Sequence, residues 1–86
     1  MIKNPEAARR LARAIASDLS LYNQEKIIKG IQQDTLFEVL SEEIEEGRIH
    51  YNNKVDPEVR AATNFYDLAL VDVIIKRNSH IQTKIW

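Results

Sequence analysis

The stretch that decides the fold is DPEVRAATNFYDLALVDVIIKR, residues 56–77. Its opening Asp-Pro-Glu is typical of a helix start, because Asp accepts hydrogen bonds from free amides and Pro suits the first helical position, while Glu complements the positive end of the helix dipole. Apolar residues then recur every three or four positions, which predicts a helix over 57–77. Its main buried face is predicted to comprise Val59, Ala62, Tyr66, Ala69, Leu70, Val73 and Ile74.

The same helix carries apolar residues on its other sides, Leu68, Val71 and Ile75 among them. A helix that is apolar around most of its circumference must be covered on more than one side. We therefore expect these three residues to bind another molecule, and a second copy of the chain is favoured, most simply as a dimer. The alternative is that this helix is central in a four-helix domain and is covered internally.

Toward the N-terminus, the pattern predicts a helix over 35–52. Thr35 and Glu38 have the T-x-x-E spacing of a capping box. The predicted buried stripe of this helix is Phe37, Leu40, Ile44 and Tyr51, widened by Leu36 and Val39 near its start.

Two further helices are predicted before it, over 5–22 and 24–32. Asn4-Pro5-Glu6 repeats the helix-start pattern, and Asn23 is expected to end the first helix and cap the second. Gly30 weakens the second helix and indicates either a close contact there or a helix held by tertiary packing. The predicted buried residues are Ala8, Leu11, Ala12, Ile15, Leu19 and Tyr22 in the first helix, and Ile27, Ile28 and Ile31 in the second.

These elements predict a compact all-α bundle of about four helices in one domain, residues 1–79, with a C-terminal tail, residues 80–86. The tail places Ile81, Ile85 and Trp86 among polar residues, in a pattern that fits one helical turn or an extended strand. Because these apolar groups would otherwise face water, we expect the tail to pack on its own chain or on a neighbouring one.

Length and composition limit what the chain can be. An 86-residue chain forms a thin core, and the lack of cysteine removes disulfides and thiolate zinc sites as reinforcement. Hydrophobic residues at 44% and charged residues at 29% are typical of a folded domain. No stretch approaches the ~20 apolar residues of a membrane span, and the N-terminus does not read as a signal peptide, so a cytoplasmic location is expected.

Basic residues raise the possibility of a nucleic-acid-binding regulator. The phosphate contacts would be Arg9, Arg10, Arg13, Lys26 and Lys29. A pI near 6.1 counts against this, because DNA-binding domains usually carry a clear basic footprint. A dimer could still concentrate the arginines on one surface, so this alternative stays open.

The stretch EEIEEGRIH, residues 42–50, raises the possibility of a metal site. Glu42, Glu46 and His50 are spaced four apart and share one helix face. However, Gly47 stands where the Glu-x-x-His motif of carboxylate-bridged bundles requires a Glu. A solvated acidic face, with Arg48 neutralising Glu45, is the favoured interpretation, and neither a metal nor another cofactor is expected.

No catalytic constellation is apparent. Ser17-Asp18 and Ser41-Glu42 are adjacent in sequence, so neither pair faces across a helix as a nucleophile and its base. Both glycines stand alone in predicted helices and form no phosphate-binding loop. The chain is therefore not expected to be an enzyme.

Three motifs carry a resemblance to an uncharacterised small helical region that occurs in assorted bacterial proteins. They are R-L-A-R-x-I-x-S-D-x-x-L-Y-N at residues 10–23, EEIEEGR at residues 42–48 and D-P-E-V-R at residues 56–60. The resemblance covers about residues 8–76 and leaves out the tail. It implies a bacterial, intracellular protein and carries no known activity, cofactor or site.

The leading prediction is a non-enzymatic module for protein-protein interaction or oligomerisation. Large apolar groups would supply affinity, and the basic first helix would face the acidic third helix to set orientation. The predicted interface residues are Leu68, Val71, Ile75, Ile81, Ile85 and Trp86.

Overall fold

The computed structural model describes residues 1–76, and their fold is all-α, as predicted. Six α-helices follow one another in this part of the chain, and the last continues directly into a π-helix, Val71–Lys76, called the π segment below. The α-helices are α1 Pro5–Tyr22, α2 Gln24–Gln33, α3 Leu36–Val39, α4 Ser41–Lys54, α5 Pro57–Ala62 and α6 Phe65–Leu70.

Both predicted Asx-Pro-Glu helix starts are confirmed. The Asn4 side-chain oxygen accepts a hydrogen bond from the Glu6 amide at 2.8 Å, and the Asp56 carboxylate accepts one from the Glu58 amide at 2.9 Å. Each bond satisfies an amide that the helix cannot pair internally. Asn23 ends α1 by donating to the Leu19 carbonyl at 2.8 Å, but its side chain makes no capping bond to α2, so that half of the prediction is wrong.

The end of α2 is fixed by Asp34, which adopts the left-handed conformation with φ 58° and ψ 39°. The Asp34 amide donates to the Ile31 carbonyl at 3.3 Å, and the Thr35 amide donates to the Gly30 carbonyl at 2.7 Å. These two bonds form a Schellman motif, which turns the chain sharply into α3. A Cβ on Gly30 would lie 2.8 Å from the Leu36 Cα, so close packing of α3 explains this glycine.

The predicted single helix over 35–52 is wrong, because the chain bends at Leu40 between α3 and α4. Leu40 leaves helical geometry, with φ −105° and ψ 6°, and its side chain is completely buried. The capping box is also wrong: the Thr35 side chain makes no capping bond, and its backbone carbonyl accepts from the amides of Glu38 and Val39 instead. Burial of the Leu40 side chain in the core therefore stabilises the fold more than a continuous helix would.

The predicted helix over 57–77 is interrupted at Thr63 and Asn64. Thr63 is extended, and its hydroxyl donates to the Val59 carbonyl at 2.6 Å. That carbonyl would pair with the Thr63 amide if the helix continued, so the side chain competes directly with the backbone. The predicted end at Arg77 lies outside the described residues.

A short pairing of extended backbone closes the N-terminal end of the fold. The Ile2 amide donates to the Lys54 carbonyl at 2.7 Å, and the Asp56 amide donates to the Ile2 carbonyl at 2.8 Å. Ile2 thus lies beside Val55, while Gly47, farther up α4, contacts Ile15 of α1. Helices α1 and α4 are therefore antiparallel.

The core forms where α1 packs against α4, α6 and the π segment. Ala8, Ala12 and Ala16 are completely buried and stand four apart, which forms a row of small side chains on α1 and allows close helix approach. The remaining buried apolar residues are Leu19, Ile27, Leu40, Tyr51, Val55, Val59, Tyr66, Ala69, Leu70, Val73 and Ile74.

Several residues predicted to be buried are exposed instead. Tyr22 is 80% exposed because it is the last residue of α1 and extends beyond the packed helices. Phe37 is 58% exposed, because the chain bends at Leu40 and the Leu40 side chain enters the core instead of the Phe37 ring. Val39 and Ile28 are 40% and 41% exposed, and Ala62, at the end of α5, also faces solvent. Within residues 1–76, every helix is too short or too polar to cross a membrane.

Candidate functional site

An exposed apolar face lies on α6 and the π segment and consists of Leu68, Val71 and Ile75. These side chains are 51%, 41% and 38% exposed. Their spacing of three and four places them on one side of the helix, and the opposite side carries the buried residues of the core. Three large aliphatic groups thus face solvent together on an element whose other side is firmly packed.

Charged side chains of both signs border this apolar face. The Asp72 carboxylate lies 3.1 Å from the Lys76 ammonium and 3.4 Å from the Arg13 guanidinium. The hydrogen bond and charge of Lys76, with a smaller contribution from Arg13, hold the pKa of Asp72 below its ordinary value. An apolar centre with a charged rim is the usual anatomy of a protein-protein interface.

The basic residues proposed for nucleic acid do not form one surface. Arg9, Arg10 and Arg13 line a depression on α1, together with Glu6. Lys26 lies elsewhere, where its ammonium donates to the Glu43 carboxylate at 2.7 Å. This hydrogen bond and the carboxylate charge raise the pKa of Lys26, and the same bond lowers the pKa of Glu43.

Lys29 is exposed on α2. Of the five predicted phosphate contacts, Arg13 and Lys26 are therefore already ion-paired within the chain, which leaves Arg9, Arg10 and Lys29 as the remaining candidates.

The acidic residues proposed for metal remain on the exposed surface of α4. Glu42, Glu46 and His50 all face solvent, and residues 1–76 contain no group of three His, Asp or Glu side chains placed to hold a metal ion. Arg48 was predicted to neutralise Glu45, but it donates instead to the Asp67 carboxylate at 2.8 Å. The carboxylates of α4 therefore offer a charged surface rather than a coordination sphere.

A polar cluster that sequence reasoning missed connects α4 to α6. Tyr66 donates its hydroxyl proton to the Ile44 carbonyl at 2.7 Å, and its ring stacks on the Tyr51 ring with the centroids 5.7 Å apart. The Arg48 guanidinium lies over the Tyr66 ring, 5.1 Å from the centroid. Burial raises the pKa of Tyr66 to about 12. The sequence did contain a signal for this cluster, because Tyr51 and Tyr66 carry hydroxyl groups at positions whose periodicity places them in the core.

Comparison of the chain with protein-family models, curated proteins and solved structures gave no significant match. The resemblance to a small bacterial helical region stays a prediction. The interface residues predicted in the tail, Ile81, Ile85 and Trp86, lie outside the described residues.

Proposed function

We propose that this chain is a non-enzymatic helical interaction module that self-associates through the apolar face of Leu68, Val71 and Ile75. The observation that carries the proposal is the shared exposure of these three aliphatic residues on one side of a segment whose other side forms the core. Covering such a face removes apolar surface from water, which is the main favourable term in protein association.

The charged rim favours a second copy of the chain as the occupant. In a two-fold symmetric dimer the same surface meets itself, so a self-complementary rim needs both signs of charge. Asp72 supplies the negative charge, and Arg13 and Lys76 supply the positive charges beside it. Rotation of one copy onto the other lets Asp72 of each copy approach a cation of its partner.

The tail is proposed to enlarge this interface. Three partly exposed aliphatic side chains cover only a small part of the roughly 800 Å² per partner that a stable interface buries. Ile81, Ile85 and Trp86 follow the π segment in sequence and would supply further apolar area. A bacterial, cytoplasmic setting remains part of the same proposal.

The test is the mass of the full chain by light scattering coupled to size exclusion, across protein concentration. The wild type is expected at about twice the chain mass of 10.0 kDa, and the double variant Leu68→Glu/Val71→Glu at the monomer mass. Phe37→Glu/Ile49→Glu is the matched control, because those residues are 58% and 53% exposed on other helices. A folded Leu68→Glu/Val71→Glu variant with wild-type mass would refute the proposed interface.

Nucleic-acid binding is the second candidate, and the position in one depression of Arg9 and Arg10, which form no ion pair within residues 1–76, supports it. Binding of duplex DNA should then weaken steeply with salt and be reduced by Arg9→Gln/Arg10→Gln. No binding at low salt would exclude this candidate.

A metal-binding protein centred on Glu42, Glu46 and His50 was the third hypothesis. With these side chains facing solvent and grouped with no further ligand among residues 1–76, the structure offers it no support. Elemental analysis of tag-free protein would test it directly.

A further inference from the structure

A second depression is lined by residues of α4, α5 and the start of α6, and none of them belongs to the apolar face. Its volume is about 140 Å³, and its lining is rich in polar side chains. The residues relevant to binding are Arg48, Tyr51, Arg60, Thr63 and Asn64. A space of this size holds a few water molecules or one small polar ligand.

Tyr51 lines this depression and carries an unusual hydroxyl group. Tyr51 is only 4% exposed, and its hydroxyl is buried without a hydrogen-bond partner among residues 1–76. Thr63 lies close enough to lower the pKa of Tyr51, which burial raises, but the pair does not meet hydrogen-bond geometry. The Thr63 hydroxyl donates to the Val59 carbonyl instead.

A buried, unpaired hydroxyl destabilises the fold, because folding removes its hydrogen bonds to water and no hydrogen bond within the protein replaces them. A phenylalanine at this position would retain the apolar ring and its stacking on Tyr66 without that cost. A tyrosine at a core position whose hydroxyl is unpaired in the described part of the chain therefore indicates an unassigned ligand for that hydroxyl.

Arg60 supplies a positive charge beside the hydroxyl. Its Nε donates to the Val55 carbonyl at 3.2 Å, and within residues 1–76 its guanidinium forms no ion pair. Arg60 and Tyr51 line the same depression. Burial raises the pKa of Tyr51, and the charge of Arg60 partly offsets that rise. Arg48, on the other side of the depression, is already bound to Asp67.

We infer that this depression binds a small oxyanion, a carboxylate or a phosphate, which accepts hydrogen bonds from the Tyr51 hydroxyl and the Arg60 guanidinium. Hydrogen-bond donors exceed acceptors here, since the one carboxylate in the lining, Asp67, is already paired with Arg48. A guanidinium presents two parallel N–H groups that match the oxygens of a carboxylate or phosphate. A single water could pair with the hydroxyl, whereas an oxyanion would pair with both the hydroxyl and the Arg60 guanidinium.

Entry of the ligand requires a local side-chain movement, because the Tyr51 hydroxyl is covered in the free protein. Arg60 is suited to move, since its side chain is held within residues 1–76 by one long hydrogen bond to Val55. This inference is independent of self-association, because none of the lining residues belongs to the apolar face.

The test is a titration of the full chain followed by ¹H–¹⁵N correlation spectra, including the Arg60 Nε–H signal. Sodium phosphate and sodium acetate are the probes, with sodium chloride at matched ionic strength and neutral acetamide as controls. Saturable shifts at Arg60 and Thr63 with phosphate, acetate or both would support the site, and the stronger of the two identifies the oxyanion class. Shifts that do not saturate, or that chloride or acetamide reproduces, would overturn it.

Two variants test the donors. Tyr51→Phe removes only the hydroxyl and keeps the stacked ring, and Arg60→Gln removes the charge but keeps a donor for Val55. Each is expected to weaken binding at least tenfold, while Arg9→Gln, on α1, leaves it unchanged. If either donor variant binds as tightly as the wild type, the inference fails. The dispersion of the same spectra verifies that each variant is folded.

Discussion

The Tyr66 hydroxyl occupies the space that a side chain on Gly47 would fill. A Cβ on Gly47 would overlap the Tyr66 hydroxyl and approach the Ile15 Cγ2 to 3.0 Å. This explains why a glycine stands in the middle of α4. The missing side chain lets Tyr66 reach across to the Ile44 carbonyl and join α6 to α4.

We expect Gly47→Ala to destabilise the protein by about 1–3 kcal/mol, because overpacking outweighs the helix propensity gained by alanine. Chemical denaturation measures the free energy of unfolding. Asn53→Ala on the same helix is exposed and should change it by less than about 0.5 kcal/mol.

A double-mutant cycle tests the cause of that loss. Tyr66→Phe removes the overlapping oxygen, so Gly47→Ala should cost less in the Tyr66→Phe background than in the wild type. Equal costs in the two backgrounds would show that the hydroxyl is not what requires the glycine.

Alkaline pH should destabilise the fold through Tyr66. Its pKa of about 12 in the folded protein lies above the ordinary value of 10.0, so the folded state holds this proton more tightly than the unfolded state. The stabilisation is fully present below pH 10 and is lost as the pH rises toward 12.

The comparison with Tyr66→Phe isolates this contribution, because lysines and other tyrosines titrate in both proteins. Tyr66→Phe should lose about 1 kcal/mol at neutral pH with its hydrogen bond, yet decline less steeply above pH 10. Denaturant midpoints measured from pH 8 to 12 provide the test. Parallel profiles for the two proteins would contradict the assignment.

Asp34→Gly is expected to stabilise the protein by about 0.5–1 kcal/mol. The left-handed backbone of Asp34 suits glycine, and its carboxylate stands at the negative end of the α2 dipole. Thermal or chemical unfolding measures the gain. Asp18→Gly is the matched control, because Asp18 is exposed inside α1, where glycine should destabilise by about 0.5 kcal/mol.

A chain that ends at Ser79 should associate more weakly than the full chain if the tail belongs to the interface. Light scattering across the same concentrations would show a midpoint of dissociation at higher protein concentration for the shortened chain. Trp86→Ala separates the indole from the rest of the tail and should shift the midpoint in the same direction. Identical midpoints for all three proteins would remove the tail from the interface.

The two Asx-Pro-Glu helix starts could be predicted from the sequence. The starts at Asn4 and Asp56 depend on a side chain and an amide two residues away, so the sequence contains both partners. The all-α class follows equally well from periodicity, which survives the bends.

The breaks could not be predicted, because each depends on a competition that periodicity does not record. Leu40 leaves helical geometry to enter the core. The Thr63 hydroxyl donates to the Val59 carbonyl, which the Thr63 amide would bind in a continuous helix. The π segment was missed for a related reason, since one wide turn fits the same apolar spacing as an α-helix.

The polar depression was missed for a different reason. It combines residues of α4 with the chain that joins α5 and α6, and only the fold brings them together. Tyr51 and Tyr66 were assigned correctly to the core, but the roles of their hydroxyls depend on which acceptors lie nearby. Ile44 provides one for Tyr66, and residues 1–76 provide none for Tyr51.

The alanine row on α1 has a consequence for how this sequence can change over generations. Ala8, Ala12 and Ala16 are completely buried where α1 packs against other helices, so larger side chains there are expected to overpack the core. Large exposed residues such as Tyr22 and Phe37, by contrast, can become smaller or polar at little cost to folding. Substitutions should therefore accumulate at the bulky residues of the surface and be rejected at the smallest residues of the interior.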